Sequence, residues 1–212
     1  MSCSRRETTA WLVLSALERL AALFILLALS PFLLIVGIAT ACLSRTSPLI
    51  AHRRLGLGGS PMWVLKFRTM WGRRARPTGR FALVERIVDE NGPREKGTRD
   101  LRISSRFARF CRRHSIDELP QLLHVVRGEM SLVGPRPITA SEWKLHYRAA
   151  AAEVLHVKPG LSGLWQIMGR SRLTYEQRRN LDLALVRNRS LKLYFQILVW
   201  TLPEIWSGRN AW

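Results

Sequence analysis

The hydrophobic pattern of the chain is dominated by one apolar stretch from Leu20 to Leu43, which is 24 residues without a charge. A helix of that length would extend about 36 Å at roughly 1.5 Å per residue, which is enough to cross a bilayer. Ser30 and Pro31 lie near its centre, and proline lacks a backbone donor and clashes with the carbonyl four residues back. We therefore expect a break here, with the Ser30 hydroxyl available to satisfy the Leu27 carbonyl in lipid.

Basic residues flank this stretch on both sides, whereas a single spanning helix normally has its lysine and arginine bias on one side. They are Arg5, Arg6 and Arg19 before it, and Arg45, Arg53, Arg54, Lys66 and Arg68 after it. The pattern favours a re-entrant helix that enters one leaflet, bends at Ser30-Pro31 and returns to the cytoplasmic face. A Pro-kinked spanning helix is the alternative. A cleaved signal peptide is not expected, because the apolar run is too long.

Alternation of apolar and polar positions predicts a small sheet near residues 62–88. The glycines of residues 56–61 indicate a hairpin connection, and Trp63 to Arg68 alternates well enough for a short strand. Another short strand is predicted within residues 81–88. The Arg-, Gly- and Pro-rich stretch 71–98 is otherwise predicted to be a surface excursion, and we assign it no role.

Helical periodicity begins at Leu101, where apolar residues recur at positions 103, 107 and 110. Further helices are predicted over residues 138–155, 174–186 and 191–206, the second opened by a capping box of Thr174 and Gln177. The last is too apolar for a solvated surface helix, so it either packs in the core or lies in the membrane interface. The chain is therefore predicted to be α+β and helix-rich, with a membrane segment over residues 1–45 and one compact domain over 46–212.

The net charge of +19, from 34 Lys and Arg against 15 Asp and Glu, favours anionic partners. Anionic lipid head groups and phosphorylated small molecules suit a membrane-attached domain. Nucleic acid is not expected, because no recognition motif is present. Three cysteines without metal-type spacing predict neither a disulfide nor a zinc site.

The adjacent carboxylates of Asp117 and Glu118 are the main candidates for chemistry. Ser115 with Glu118 three residues later is a capping-box pattern, so a structural role at a helix start is one interpretation. In the functional interpretation, Arg112 and Arg113 hold both carboxylates ionised. An ionised Asp117 can attack phosphorus as a nucleophile, and an ionised Glu118 can hold a divalent metal.

Arg136 lies between Pro135 and Pro137, directly after Gly134. The prolines restrict the local backbone, and the glycine permits a sharp turn. Such a loop can present the guanidinium as a rigid two-pronged donor to a phosphate. The plain alternative is an exposed arginine on an ordinary loop.

Two runs carry these candidates, Asp117-Glu-Leu-Pro-Gln121 and then Met130-Ser-Leu-Val-Gly-Pro-Arg-Pro137. Further runs are Lys66 to Met70, Lys158 to Gln166, Gly169 to Ser171 and Leu181 to Leu183. In this order they resemble the bacterial sugar transferase family, the monotopic phosphoglycosyl transferases that start lipid-linked glycan assembly. The Ser30-Pro31 break also resembles that family's re-entrant helix. The matches cover nearly the whole chain and correspond to the minimal, single-domain form.

The resemblance implies a role for each candidate side chain. Asp117 would be the nucleophile and Glu118 the Mg²⁺ ligand, Arg112 and Arg136 would bind phosphate, and Lys66 and Asp182 would belong to the active-site shell. The implied reaction transfers a phosphosugar from a UDP-sugar to polyprenyl (undecaprenyl) phosphate through an aspartyl intermediate and releases UMP. It would initiate exopolysaccharide, capsule or O-antigen assembly. The implied setting is the cytoplasmic face of the bacterial inner membrane, among membrane lipids, with self-association and downstream glycosyltransferases as further partners.

Several positions depart from the family pattern. Glu129 stands where aspartate is usual, His124 where asparagine is usual, Ala108 where glycine is common, and Ala21-Ala22 where Phe-Asp is frequent. None is the expected nucleophile, so these departures bear on loop shape and membrane docking rather than on activity. The competing hypothesis is a non-enzymatic, basic membrane-surface scaffold of polysaccharide assembly, which leaves the paired carboxylates with no task beyond capping.

Overall fold

The computed structural model describes residues 2–71, 82–88 and 105–207 of the chain. They form an α+β fold in which helices predominate over two small sheets, as expected from the sequence. Three of the four buried apolar clusters among these residues include a residue of the long N-terminal helix. That helix is therefore part of the core of the protein.

The N-terminal helix, α1, spans Ser2–Ser44 and is continuous across Pro31, so the break expected at Ser30-Pro31 is not present as an interruption of the helix. The Ser30 hydroxyl donates to the Leu27 carbonyl at 2.7 Å, which confirms the compensation expected for the proline. Within the described residues, Thr9–Ser44 is the one helix long and apolar enough to cross a membrane.

Helix α1 contacts the domain along one face. Buried residues recur every four positions on either side of the proline: Leu14, Glu18 and Ala22 before it, and Val36, Thr40 and Ser44 after it. The opposite face is apolar and exposed around the proline, with large side chains at Phe24, Leu27, Phe32, Leu34 and Ile35. Both arms of the helix are therefore docked on the same domain, while the region around Pro31 presents exposed apolar surface.

A three-stranded sheet has the strand order β2-β1-β3, with β1 at Leu49–Leu55, β2 at Pro61–Phe67 and β3 at Val84–Ile87. Strand β1 is antiparallel to β2, across the predicted glycine-rich hairpin, and parallel to β3. The predicted strand that begins near Trp63 is confirmed, as is the short strand within residues 81–88. Strand β1 was not predicted. The remainder of the 71–98 excursion, apart from Trp71, lies outside the described residues.

Two short parallel strands, Ser131–Val133 (β4) and Gly160–Ser162 (β5), form a second sheet that the hydrophobic pattern did not predict. The chains approach closely where β4 ends, because a Cβ on Gly160 would lie 2.0 Å from the Gly134 backbone nitrogen. Any larger residue would force the two segments apart. The contact holds the loop that carries Arg136 against the start of β5, where the Gly160 N–H donates to the Pro135 carbonyl at 2.8 Å.

The remaining helices of the described domain are Arg106–Arg113 (α2), Leu122–Val126 (α3), Ala140–Glu142 (α4), Ala150–Val154 (α5), Leu164–Ile167 (α6), Tyr175–Arg187 (α7) and Leu191–Ser207 (α8). Short 3₁₀ turns occur at Leu57–Gly59, Ile116–Gln121 and Arg170–Arg172. The capping box predicted for α7 is confirmed, since the Thr174 and Gln177 side chains each accept from the other's backbone N–H.

The uninterrupted helix predicted over residues 138–155 is wrong. A π-helical turn, Trp143–Tyr147, follows α4, and Arg148 then adopts a left-handed φ of 48° before α5 begins. The wide turn carries Tyr147 into the core, where its hydroxyl reaches Asp182. Burial of this one side chain therefore overrides the helical propensity of an alanine-rich sequence.

Helix α2 lies where helical periodicity was predicted and begins at Arg106, with the Ser105 hydroxyl accepting from the Ala108 N–H. Residues 101–104, where the pattern starts, lie outside the described residues. Phe107 packs against the cluster that contains Cys111, whereas Phe110 is exposed. The predicted apolar stripe is thus only partly buried.

Helix α8 packs in the core along one face, which is one of the two roles that the sequence left open. Tyr194 and Ile197 are buried in the cluster that contains Leu14 of α1. The other side of the helix exposes Phe195, Val199, Leu202 and Trp206, which recur at helical spacing. One face of α8 therefore packs in the core, and the other presents an apolar surface of the kind that suits a membrane interface.

Candidate active site

The Asp117 and Glu118 carboxylates lie on the 3₁₀ turn Ile116–Gln121, directly after α2. The capping box predicted here is wrong: Ser115 has a left-handed φ of 56° and its side chain makes no cap, because its hydroxyl accepts from Arg170 instead. The left-handed residue turns the chain sharply, so the turn packs against β2. A capping box at Ser115 therefore does not explain why these two carboxylates lie here.

Lys66, near the end of β2, pairs with Glu118. Its ammonium nitrogen lies 2.5 Å from Glu118 Oε1, and the two side chains are 30% and 24% exposed. Burial raises the pKa of Glu118, but the charge and hydrogen bond of Lys66 outweigh burial, with help from Arg170 and Arg136, and lower this pKa to about 2. Glu118 is thus ionised at neutral pH, as expected, although its main partner is Lys66 and not the arginines that precede it.

Asp117 is the more deeply buried carboxylate, with 7% of the residue exposed. Its Oδ2 lies 3.4 Å from the Thr69 hydroxyl, which in turn lies 3.4 Å from the Arg112 guanidinium. Burial and the Glu118 charge raise the pKa of Asp117 to about 6, against the lowering effect of Lys66 and Arg112. The carboxylate is therefore still mostly ionised at neutral pH, but it is poorly solvated and held only loosely by hydrogen bonds.

Arg136 is held from several sides. Its backbone N–H donates to Asp182 Oδ1 at 3.2 Å, its guanidinium lies 3.8 Å from Glu142 Oε1, and the guanidinium carbon lies 5.2 Å from the centre of the Trp165 ring. The side chain is only 20% exposed, and its charge contributes to lowering the pKa of Glu118. The freely exposed arginine that we considered as an alternative is therefore wrong, and Arg136 is a fixed cation facing the carboxylate pair.

Asp182 supports the Arg136 loop from inside the domain. It is fully buried on α7, and its Oδ2 accepts from the Tyr147 hydroxyl at 2.7 Å. Burial raises the pKa of Asp182 to about 7, although the hydrogen bonds from Tyr147 and the Arg136 backbone act in the opposite direction. No hydrogen bond or ion pair joins it to Asp117 or Glu118 within the described part of the chain. Its place is that of a positioning residue for Arg136.

The raised pKa of Asp182 predicts that stability falls as the pH rises from about 4 to about 7. The native carboxyl keeps its proton up to about pH 7, whereas an unfolded aspartate releases it near 3.8. The native state binds more protons in that window, so the free energy of unfolding decreases with pH. Asp182→Asn does not titrate; its Oδ1 can accept from the Arg136 N–H, and its amide group can donate to the Tyr147 oxygen. The variant is expected to reduce this dependence and leave the part due to the raised pKa of Asp117. Thermal unfolding midpoints at about pH 5 and pH 7.5 in one detergent measure it, and an unchanged slope in the variant would contradict the assignment.

The structure brings five of the six predicted site residues to one place: Lys66, Arg112, Asp117, Glu118 and Arg136. The sixth, Asp182, lies on the interior side of the Arg136 loop and accepts a hydrogen bond from the Arg136 backbone N–H. Sequence reasoning missed four residues that complete the site: Thr69, Glu142, Trp165 and Arg170. Three of these, Thr69, Trp165 and Arg170, lie in runs that carry the family resemblance, so the sequence could have indicated them as site residues. No pattern in the sequence indicated that Glu142 contacts Arg136.

Two positions that depart from the family pattern, His124 and Glu129, contact each other. His124 Nδ1 lies 2.6 Å from Glu129 Oε2, and His124 Nε2 lies 3.1 Å from the Leu65 backbone nitrogen. Because the Leu65 N–H must donate, Nε2 is the acceptor and Nδ1 carries the proton that Glu129 accepts. The two departures therefore share one structural role, which is to tie the residue before Lys66 to the turn that leads into β4.

His124→Ala is expected to lower the free energy of unfolding by about 1–3 kcal/mol, because it leaves the Leu65 N–H without its acceptor. His124→Asn combined with Glu129→Asp, which restores the usual family pair, should recover part of that loss. Unfolding in detergent measures both, with His156→Ala as the control because His156 is exposed. A double-mutant cycle of His124→Ala and Glu129→Gln should show coupling, and strictly additive effects would contradict the pair.

The donors at this site fit a Mg²⁺ ion that is shared with substrate. Mg²⁺ is usually bound by one or two carboxylates, with water and substrate phosphates completing its octahedron. Lys66 occupies Oε1 of Glu118, which leaves Oε2 as a hard oxygen donor beside Asp117. Among the residues that the structure describes, no group of three His, Cys, Asp or Glu side chains could hold a metal by itself. The site therefore suits a metal that arrives with phosphates rather than a permanent protein cage.

These features agree with what the chain is similar to. The profile of the bacterial sugar transferase family matches residues 9–208, so the chain belongs to that family. The exopolysaccharide production protein ExoY of Sinorhizobium fredii is 38% identical over 194 residues, which are 91% of this chain and 85% of that protein. The UDP-glucose:undecaprenyl-phosphate glucose-1-phosphate transferase of Xanthomonas campestris is 32% identical over 92% of this chain and 39% of its own length. The undecaprenyl-phosphate glucose phosphotransferase of Komagataeibacter xylinus is 35% identical over 98% of this chain and 38% of its own.

Family membership confirms the resemblance seen in the sequence motifs. It also confirms the expectation of an enzyme of the phosphoglycosyl transferase class.

Proposed function

We propose that this protein transfers a phosphosugar from a UDP-sugar to polyprenyl phosphate at a membrane surface and releases UMP. The observation that carries the proposal is the adjacent carboxylate pair, Asp117 and Glu118, set among fixed cations. Those cations are Lys66, Arg112, Arg136 and Arg170. Donor, acceptor and products are all anionic phosphates, so the positive charge around the pair suits each of them. Two relatives, the Xanthomonas campestris and Komagataeibacter xylinus transferases, are named for the same general reaction on undecaprenyl phosphate.

Asp117 is the proposed nucleophile. One of its carboxylate oxygens attacks the phosphorus that carries the sugar, and a new P–O bond forms as the bond to the bridging oxygen of the diphosphate breaks. UMP leaves with that oxygen and its electron pair. A phosphate oxygen of polyprenyl phosphate then attacks the same phosphorus and releases the Asp117 carboxylate. Because the carboxylate is buried and weakly hydrogen-bonded, little solvation is lost when it attacks.

The remaining site residues bind and orient the phosphates in this proposal. Arg112 and Arg136 would donate to phosphate oxygens, and the contacts of Arg136 with Glu142 and Trp165 fix its guanidinium before substrate binds. Lys66 keeps Glu118 ionised. When Mg²⁺ is bound by Glu118, it supplies charge neutralisation on the diphosphate.

The way α1 docks supports a re-entrant helix over a spanning one. A spanning helix would carry one of its ends across about 30 Å of hydrocarbon, away from the domain. Here residues from both arms, such as Ala22 and Val36, are buried against the same domain. Pro31 lies on the exposed face, where its clash with the Leu27 carbonyl would open that face and bend both arms toward the domain. Both basic flanks would then meet the same membrane surface.

In this arrangement the apolar bend of α1 and the exposed face of α8 both enter the membrane. The carboxylate pair is then held near the lipid head groups, where the phosphate of polyprenyl phosphate lies. We assign the active site to the cytoplasmic face of the bacterial inner membrane, where nucleotide sugars are found. The exposed Phe195, Val199 and Trp206 of α8 are the side chains expected at the interface.

UMP release by the purified full-length protein tests the proposal. The assay contains detergent, Mg²⁺ and a panel of UDP-sugars, with and without undecaprenyl phosphate. We expect release that is selective for one sugar, with repeated turnover only when the acceptor is present and no more than one UMP per protein without it. No release from any nucleotide sugar, with or without acceptor, would contradict the proposal and favour the scaffold hypothesis.

A further inference from the structure

A second cationic cleft lies where α1 meets the ends of β4, α7 and α8. Its apolar walls are formed by Trp11, Val133, Pro135, Leu185 and Leu193, and Lys158 and Arg189 also line it. None of the cations at this cleft is among the charges that shift the pKa of Asp117 or Glu118. The cleft is therefore lined by other cations than those assigned to the carboxylate pair, and the reaction proposed above gives these cations no task.

Two cations, Lys158 and Arg189, line this cleft, and the Arg19 charge acts on Lys158 from outside it. The Arg189 guanidinium lies over the Trp11 ring, 3.8 Å from its centre. The Arg19 guanidinium packs against Gly128, where a Cβ would come within 2.2 Å of it. Burial lowers the pKa of Lys158, and the charges of Arg19 and Arg189 lower it further, so both arginines are close enough to repel the Lys158 ammonium group.

Glu18 is the carboxylate that acts on this cluster, and it is engaged elsewhere. Its Oε1 accepts from the Ser131 hydroxyl at 2.6 Å, the Tyr194 hydroxyl at 2.5 Å and the Leu132 N–H at 3.3 Å. Within the described ranges, no salt bridge joins Glu18 to any of the three cations. The cleft is thus lined by two positive charges, with Arg19 nearby and one carboxylate engaged elsewhere, and this excess of positive charge favours an anion.

We propose that this cleft binds the phosphate of an anionic phospholipid head group. Trp11 belongs to the membrane helix, and the exposed Leu12, Leu17 and Leu20 continue beside it, so the cleft lies at the boundary between lipid and domain. Basic pockets between helices at the cytoplasmic surface are the usual sites for anionic lipids. A lipid held here would fix the depth of the catalytic domain in the interface.

The chemistry of the cleft matches both parts of such a head group. Lys158 and Arg189 at the opening would bind the phosphodiester oxygens. The apolar walls from Val133, Leu185 and Leu193 would contact the glycerol and the first acyl carbons. A free phosphate ion would bind the cations but would not contact these apolar walls. This difference distinguishes a lipid head group from a free phosphate ion as the ligand.

Binding of dioctanoyl phosphatidylglycerol to the full-length protein in nonionic detergent, followed by native mass spectrometry, tests the site. The variant with Lys158→Gln and Arg189→Gln is expected to bind about 30-fold more weakly, since each cation near an anionic lipid contributes severalfold. The control carries Arg106→Gln and Lys144→Gln, which remove the same charge from exposed positions elsewhere, and it should bind like the parent. Lys158→Arg with Arg189→Lys keeps the charge and should keep the binding, which separates lost charge from misfolding.

Two further ligands distinguish binding of an anionic lipid head group from binding of a free phosphate ion. Dioctanoyl phosphatidylcholine should bind weakly to parent and variants alike, and inorganic phosphate at millimolar concentration should not displace phosphatidylglycerol. Equal binding of phosphatidylglycerol by the parent and the double glutamine variant would overturn the proposal. An equal loss in the control variant, or displacement by inorganic phosphate, would also overturn it.

Discussion

Asp117→Asn is expected to lower UMP release at least about 10³-fold, because the amide cannot form the acyl phosphate that the proposed mechanism requires. The fold should be preserved, since Asp117 is buried and its raised pKa shows that its surroundings already favour a neutral side chain. The loss should appear in the first turnover and not merely in the steady state, because the missing step is the attack on the donor.

Glu153→Gln is the matched control for Asp117→Asn. It also converts a carboxylate to an amide, but Glu153 pairs with Arg187 at an exposed position on α5. Its UMP release should equal that of the parent. If Asp117→Asn retained full turnover with a normal unfolding midpoint, the proposed attack by Asp117 would be wrong. A second site residue would then have to supply the nucleophile or activate the acceptor directly.

Glu118→Gln is expected to lower turnover about 10²-fold or more and to raise the Mg²⁺ concentration needed for half-maximal rate. An amide oxygen is a weaker ligand for a hard cation than a carboxylate, and the metal would lose its charged protein ligand. The change also removes the partner of Lys66. UMP release measured over a range of Mg²⁺ concentrations separates loss of metal binding from loss of rate.

Lys66→Gln distinguishes the two roles of Glu118. If Glu118 served only as the ion-pair partner of Lys66, both variants would lose activity with the same metal requirement. We expect Lys66→Gln to lower the rate without raising the Mg²⁺ requirement when the assay is run at alkaline pH, where Glu118 stays ionised without Lys66 and remains free to bind the ion. A Glu118→Gln enzyme with an unchanged Mg²⁺ requirement would rule out Glu118 as the metal ligand.

The elements that the sequence predicted well are those with a local physical cause. Strand β2 follows from alternation, and the hairpin before it from glycines, two of which adopt left-handed φ angles of 65° and 78°. Helix α7 follows from a capping box that is satisfied in both directions. Asp117, Glu118 and Arg136 were found from adjacent carboxylates and flanking prolines, features that can be read within a few residues.

The elements that the sequence missed depend on contacts between distant segments. Strands β4 and β5 have three residues each, too few to show alternation, and they pair because Gly134 and Gly160 permit a close approach. Strand β1 has His-Arg-Arg at its centre, so its polar side chains hid the pattern. The predicted capping box at Ser115 failed because its hydroxyl accepts from Arg170, 55 residues later, a partner that no local rule identifies.

Attachment of the phosphosugar to Asp117 can be measured directly. The full-length enzyme is incubated with its UDP-sugar and Mg²⁺ but no acceptor, and the intact mass and the modified peptide are then determined. We expect a gain of one phosphosugar on the peptide that contains Asp117, equal to the UMP released and discharged when polyprenyl phosphate is added. Turnover by the same enzyme without any protein-bound phosphosugar would contradict it.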